Sequence, residues 1–98
     1  MIHQFFVGHA VGNVRTHRAE IVRDTVVGAL STVGVDGATF TAATGLWAGT
    51  TEPTTAVTVV GLTDETAHVV ARNVAAMLHQ TSVMVVTVPC TVAFVEAN

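Results

Sequence analysis

The stretch from Gly37 to Leu62, GATFTAATGLWAGTTEPTTAVTVVGL, decides how the rest of the chain is read. Alternation at period two puts Thr39, Thr41, Ala43, Gly45 and Trp47 on one side of an extended segment. Ala38, Phe40, Ala42, Thr44 and Leu46 fall on the other. From Thr54 to Leu62 the β-branched residues Thr54, Thr55, Val57, Thr58, Val59 and Val60 dominate, and these fit a pleated, half-buried surface better than a helix. Between the two strands, Ala48 to Pro53 has the Gly, Thr and Pro chemistry of a loop of about six residues. Pro53 has no N–H for a ladder, so it is expected as the first residue of the second strand.

Working outward, Val22, Val26, Ala29, Leu30 and Val33 recur at i, i+4, i+7, i+8 and i+11, which predicts a helix on the N-terminal side. Thr16 suits its N-cap, Glu20 its first turn and Gly34 its end. Ile2 to Val11 reads as a first strand with a bulge at Gly8, and Asn13 to Arg18 as a polar connection. On the C-terminal side, Thr63 or Asp64 caps a second helix whose apolar face is Ala67, Val70, Ala71, Val74 and Leu78, ending near His79-Gln80. Ser82 to Val88 is a Val-rich strand, Pro89 interrupts it, and Thr91 to Val95 is expected to resume as a short edge strand. Residues 1–98 are therefore read as a single α+β domain, a ferredoxin-like βαββαβ sandwich with a short extra C-terminal strand. Both helices take one sheet face, and the other is left bare.

Half of the residues are hydrophobic, and only four Arg and seven Asp or Glu carry charge, with a net of −3 and no Lys. A chain so short and so poorly charged leaves apolar surface that water does not favour, which predicts that copies cover one another as a homo-oligomer. The absence of a basic cluster argues against nucleic acid as a partner. No apolar run is long enough for a membrane span and Met1-Ile2-His3-Gln4 does not resemble a signal peptide, so a cytoplasmic location is expected. The single cysteine, Cys90, excludes an internal disulfide and is read as a buried thiol. His3 and His9 lie about 20 Å apart in an unbulged strand, too far to share one metal. His68 and His79, on the second helix, are about 16 Å apart, so neither a metal nor a cofactor is expected.

The Gly-Leu-Trp-Ala-Gly turn at 45–49, Glu52 at the entrance to the third strand, and a helix ending in Gln80 ahead of a Val-rich strand resemble the PII and CutA-like superfamily of small trimeric ferredoxin-like proteins. That resemblance implies a trimer with clefts between subunits, where nucleotides or other small ligands bind at the base of the loop joining strands two and three. The chain departs from the pattern in its short loop and its lack of Lys.

These readings converge on one candidate site, a subunit cleft built from Trp47, Glu52, Arg15, His17 and Arg18. Trp47 offers a stacking face, and an Arg can grip an anion with two parallel hydrogen bonds. Glu52 is the one carboxylate not read as a cap, turn or solvated helix residue. The expected function is a homo-oligomeric small-molecule-binding module, a sensor or sequestering protein, with no residue pair that singles out an enzyme. Its ligand would be small and polar or anionic, nucleotide-derived molecules included. The alternative is a ligand-free structural or protein-interaction subunit that assembles through its open sheet face.

Overall fold

The computed structural model describes residues 1–97. The chain runs β1 (Ile2–Gly8), β2 (Ala10–Val11), β3 (Arg15–Thr16), α1 (Ala19–Thr32), β4 (Thr39–Trp47), β5 (Thr50–Val60), α2 (Asp64–Met77) and β6 (Met84–Val88). The fold is α+β: four strands form an antiparallel sheet in the order β4-β5-β1-β6, and β2 and β3 make a separate small hairpin. Alternation along β1 sends His3, Phe5 and Val7 into the interior, where Phe5 and Val7 meet Val57 and Val59 of β5. Val22, Val26 and Leu30 of α1 and Val70 and Val74 of α2 close the same core. The helical spacing read from the sequence thus marks the buried stripes. Each fully buried Val, Leu or Phe contributes about 1.5 to 3 kcal/mol relative to exposure.

The other sheet face carries Ile2, Gln4 and Phe6 of β1, Thr39, Thr41 and Ala43 of β4, Ala56, Thr58 and Val60 of β5, and Met84 and Val86 of β6. Both helices pack on the opposite face, so this one stays open, as alternation predicts, and Val60 and Met84 are exposed on it.

Six expectations are corrected. The loop expected between β4 and β5 is a turn of two residues, because Trp47 pairs with Thr50 and the ladder continues through Gly45↔Glu52 to Thr39↔Thr58. Ala48 (φ 48°) and Gly49 (φ 79°) both adopt the left-handed backbone that a two-residue hairpin requires, and alanine does not advertise that. Pro53 consequently lies inside β5, opposite Thr44. Its carbonyl accepts the His9 N–H at 3.0 Å on the side where β1 has just ended, so the missing N–H faces no ladder partner.

The first strand stops at Gly8 rather than Val11, and Thr16 is held opposite Ala10 in the small hairpin. The N-cap of α1 is therefore Arg18, whose side chain makes no capping bond. The expected strand at Thr91 to Val95 does not form; residues 89–97 carry no regular structure. Val88 already pairs with Ile2, so β1 has almost no backbone left to partner anything beyond it, and Pro89 could not donate. Leaving the sheet there also exposes Cys90, contrary to the buried thiol expected.

The helix ends carry information used below. Thr63 caps α2 by accepting the Thr66 N–H at 3.1 Å. Asp64 then takes a 2.7 Å hydrogen bond from His3, which is fully buried, and this bond holds its carboxyl below the usual carboxylate range. At the end of α1, Gly34 (φ 78°) and Val35 donate to Ser31 and Leu30, each at 3.0 Å. At the end of α2, His79 and Gln80 donate to Ala76 at 3.3 Å and Ala75 at 2.9 Å, the same two-bond closure.

Candidate functional site

At the end of the sheet where β4 turns into β5, two hollows meet on the open face. The first, about 290 Å³, is lined by Phe6, Gly8, Glu52, His79, Gln80, Thr81 and Ser82, with Trp47 at its edge. The second, about 560 Å³, shares Trp47 and Glu52 and adds Arg15, Asn13 and the β4–β5 turn. Ala10, Gly12, Trp47 and Glu52 line both hollows.

Strand register explains how they come together. Trp47, Gly45, Glu52 and Thr54 point to the same face, with Gly45 directly opposite Glu52 and Gly8 opposite Thr54. A Cβ on Gly45 would stand 3.2 Å from Trp47 Nε1, so the indole lies back over that glycine. A Cβ on Gly8 would coincide with the Glu52 carboxylate, Cδ of which would be only 2.8 Å away. Two glycines therefore make the seat in which the tryptophan and the carboxylate sit.

Glu52 Oε2 accepts the Ala10 N–H at 3.0 Å, and Oε1 accepts no hydrogen bond among the described residues. The Gln80 amide donates to the Gly8 carbonyl and also reaches the Ala10 carbonyl at 3.4 Å. One side chain thus ties the loop after α2 to the break between β1 and β2. The carboxylate is anchored through one oxygen and offers the other.

The structure brings some of the expected residues together and separates others. Trp47, Glu52 and Arg15 border one hollow. His17 does not join them: its ring nitrogen donates to the Leu78 carbonyl at 2.8 Å, tying the connection to the end of α2. Arg18 caps α1 and pairs with Glu20 at 3.6 Å, both exposed. A shift of two residues in the helix start, from a cap at Thr16 to one at Arg18, accompanies the β2–β3 hairpin, which consumes part of the segment read as a polar connection. Gly8, Gln80 and His79 are the additions. Gly8 had been read as a bulge and Gln80 as a helix end, and neither reading placed them beside Glu52.

Below the site, His9 is buried and its Nε2 lies 2.7 Å from Thr55 Oγ1. Burial holds the imidazole below the usual histidine range; the Glu52 charge works against this and His17 adds to it. The unfolded chain therefore binds a proton at His9 that the folded one refuses, so stability should fall as the pH drops below about 6.5. Melting temperatures measured between pH 7.5 and 5 should decline, and His9→Gln should flatten that decline; equal slopes would remove His9 as its source.

Among the described residues no group of three or more His, Cys, Asp or Glu is placed to hold a metal, and no helix is long and apolar enough to cross a membrane.

No family model and no curated protein matches the chain. Solved structures do. A phage SAM lyase in the apo state superposes with a TM-score of 0.72 at 26% identity, over 86% of this chain and 75% of that one. The phage SAM lyase in complex with S-methyl-5′-thioadenosine gives 0.70 at 25%, over 86% and 76%. Both solved structures are of an enzyme. The expectation of a sensor, a sequestering module or a ligand-free structural subunit is corrected on that ground.

Proposed function

We propose that this chain cleaves S-adenosylmethionine, releasing S-methyl-5′-thioadenosine. The observation that carries this reading is the likeness over most of both chains to a lyase of that name, one structure of which holds that compound. The site described above suits such a substrate. Trp47 offers a stacking face to a purine, and Arg15 and the free oxygen of Glu52 offer a donor and an acceptor of opposite charge.

Breaking the bond between sulfur and the aminocarboxypropyl arm leaves the electron pair on sulfur, so the departing thioether needs no proton. The carbon it leaves can be closed upon by the arm's own carboxylate, giving a five-membered lactone, be attacked by water, giving the hydroxy amino acid and a proton, or lose a proton from the neighbouring carbon to a base. That neighbouring proton is not acidified by a carbonyl, and a lone carboxylate is a weak base. Ring closure needs only a folded arm held away from water. A pocket with one anchored carboxylate fits that demand better than it fits proton transfer. Because the sulfonium charge diminishes toward the transition state and is gone in the thioether product, Glu52 assists by fixing the ammonium or the ribose hydroxyls; a contact to sulfur would favour the ground state.

The finer fold assignment is part of the same reading. The strand order with both helices on one face supports a ferredoxin-like arrangement, and the PII and CutA-like resemblance extends the reading to assembly of copies, as a trimer, through the open face. Incubating the purified chain with S-adenosylmethionine should produce S-methyl-5′-thioadenosine, detected by liquid chromatography with mass detection, from a species heavier in solution than the 10.2 kDa chain. Intact substrate after prolonged incubation would overturn the activity; a single-copy mass would overturn the assembly.

A further inference from the structure

The two helices end in the same two-bond closure, yet the residue in the left-handed position is glycine in one and histidine in the other. Gly34 (φ 78°) ends α1 and lines no part of the site; His79 (φ 56°) ends α2 and lines the smaller hollow beside Glu52. In this conformation a Cβ crowds the following carbonyl oxygen, and only glycine adopts it without cost. Histidine is seen there more often than most side chains, but it is not the residue the backbone asks for. Nothing in the core holds it: His79 is exposed, and its imidazole has no hydrogen-bond partner among the described residues. A strained residue kept at the rim of a pocket points to a side chain wanted for what the pocket holds.

We infer that His79 holds the aminocarboxypropyl arm of the substrate, an inference that rests on the lyase reading above. The two hollows divide a bipartite molecule naturally. The larger, bordered by Trp47 and Arg15, has room for a nucleoside, at about 560 Å³. The smaller, about 290 Å³, gathers His79, Thr81 and Ser82 as donors facing the acceptor Glu52, which is the pattern a zwitterionic amino-acid group requires. His79 sits on the donor side of it. Its neighbour Gln80 is spent on the Gly8 and Ala10 carbonyls, which fixes the backbone that presents the imidazole. His79 is thus a substrate-positioning residue.

S-methyl-5′-thioadenosine lacks that arm, so it separates the two hollows experimentally. Affinities of the chain for S-adenosylmethionine and for S-methyl-5′-thioadenosine, measured by calorimetry, should respond differently to His79→Gly. The ratio favouring the full substrate should fall at least about tenfold, with the thioadenosine affinity changed less than about twofold. The melting temperature should rise by about 4 to 8 °C as the left-handed strain is relieved. His79→Asn, which tolerates the same backbone but lacks the imidazole, should reproduce the loss in ratio without the full gain in melting temperature. An unchanged ratio in both variants overturns the assignment. Failure of the unmodified chain to turn over substrate would sink the lyase reading separately, while the affinity ratio would still decide the role of His79; if neither compound binds the unmodified chain, both fall.

Discussion

Glu52→Gln should lower kcat/KM for S-adenosylmethionine about 10²-fold while leaving the fold intact. The substitution keeps an oxygen that can accept the Ala10 N–H, now made by the carboxylate at 3.0 Å, so the seat between Gly8 and Gly45 stays filled. What disappears is the charge on the carboxylate, whose second oxygen lies over Gly8 and accepts no hydrogen bond among the described residues. A hydrogen bond to a charged group is worth about 1.5 to 3 kcal/mol, and a misplaced arm that must close on its own carbon loses more through orientation than through affinity. The loss should therefore appear mainly in kcat. If Glu52 acted as a proton-abstracting base, the product would be an unsaturated amino acid and the variant's residual rate would be smaller still, so product analysis separates the two chemistries. A variant with wild-type kcat/KM would show that the carboxylate only props the β1–β2 break.

Gly8→Ala is expected to damage the site almost as much from the other side. Its backbone is not left-handed, so alanine fits conformationally; the obstacle is the Glu52 carboxylate, which occupies the space of the new Cβ. The carboxylate is the far end of a flexible side chain and can swing away. Doing so abandons the Ala10 N–H, for a stability loss of about 1 kcal/mol, read by denaturant or thermal unfolding. Activity should fall about 10- to 10²-fold, because a displacement of an ångström or more at a positioning group is enough. Direct evidence for the clash comes from the double variant: in a Glu52→Ala background the stability cost of Gly8→Ala should shrink to a few tenths of a kcal/mol, since the atoms in conflict are gone. Additive effects would mean that Gly8 is required for something other than seating Glu52.

Much of this molecule was legible from period alone. The Val22, Val26, Ala29 and Leu30 stripe and the Ala67, Val70, Ala71 and Val74 stripe are buried as their spacing requires. The bare sheet face follows from the same arithmetic, because alternation in a strand is a local property of the backbone. Trp47 and Glu52 could be paired because a hairpin keeps their separation short. Boundaries were less readable. The tight turn hides in Ala48, which carries no turn signature, and the strand expected at Thr91 to Val95 has the right residues but no neighbour to pair with. The proposed activity was not readable at all, since no motif in the sequence announces it.

What the chain determined alone is therefore what depends on neighbours a few residues away: periodicity, the Thr63 cap of α2, the poverty of charge and the near coincidence of an indole with a carboxylate. What tertiary structure decided is everything that requires β1 to lie between β5 and β6. Only that order puts Gly8 under Glu52, brings Gln80 across 72 residues to the Gly8 carbonyl, and leaves His79 rather than a glycine at the rim. Such contacts join segments whose separation in sequence carries no period, and they come into being only when burial of the core selects one packing of sheet and helices.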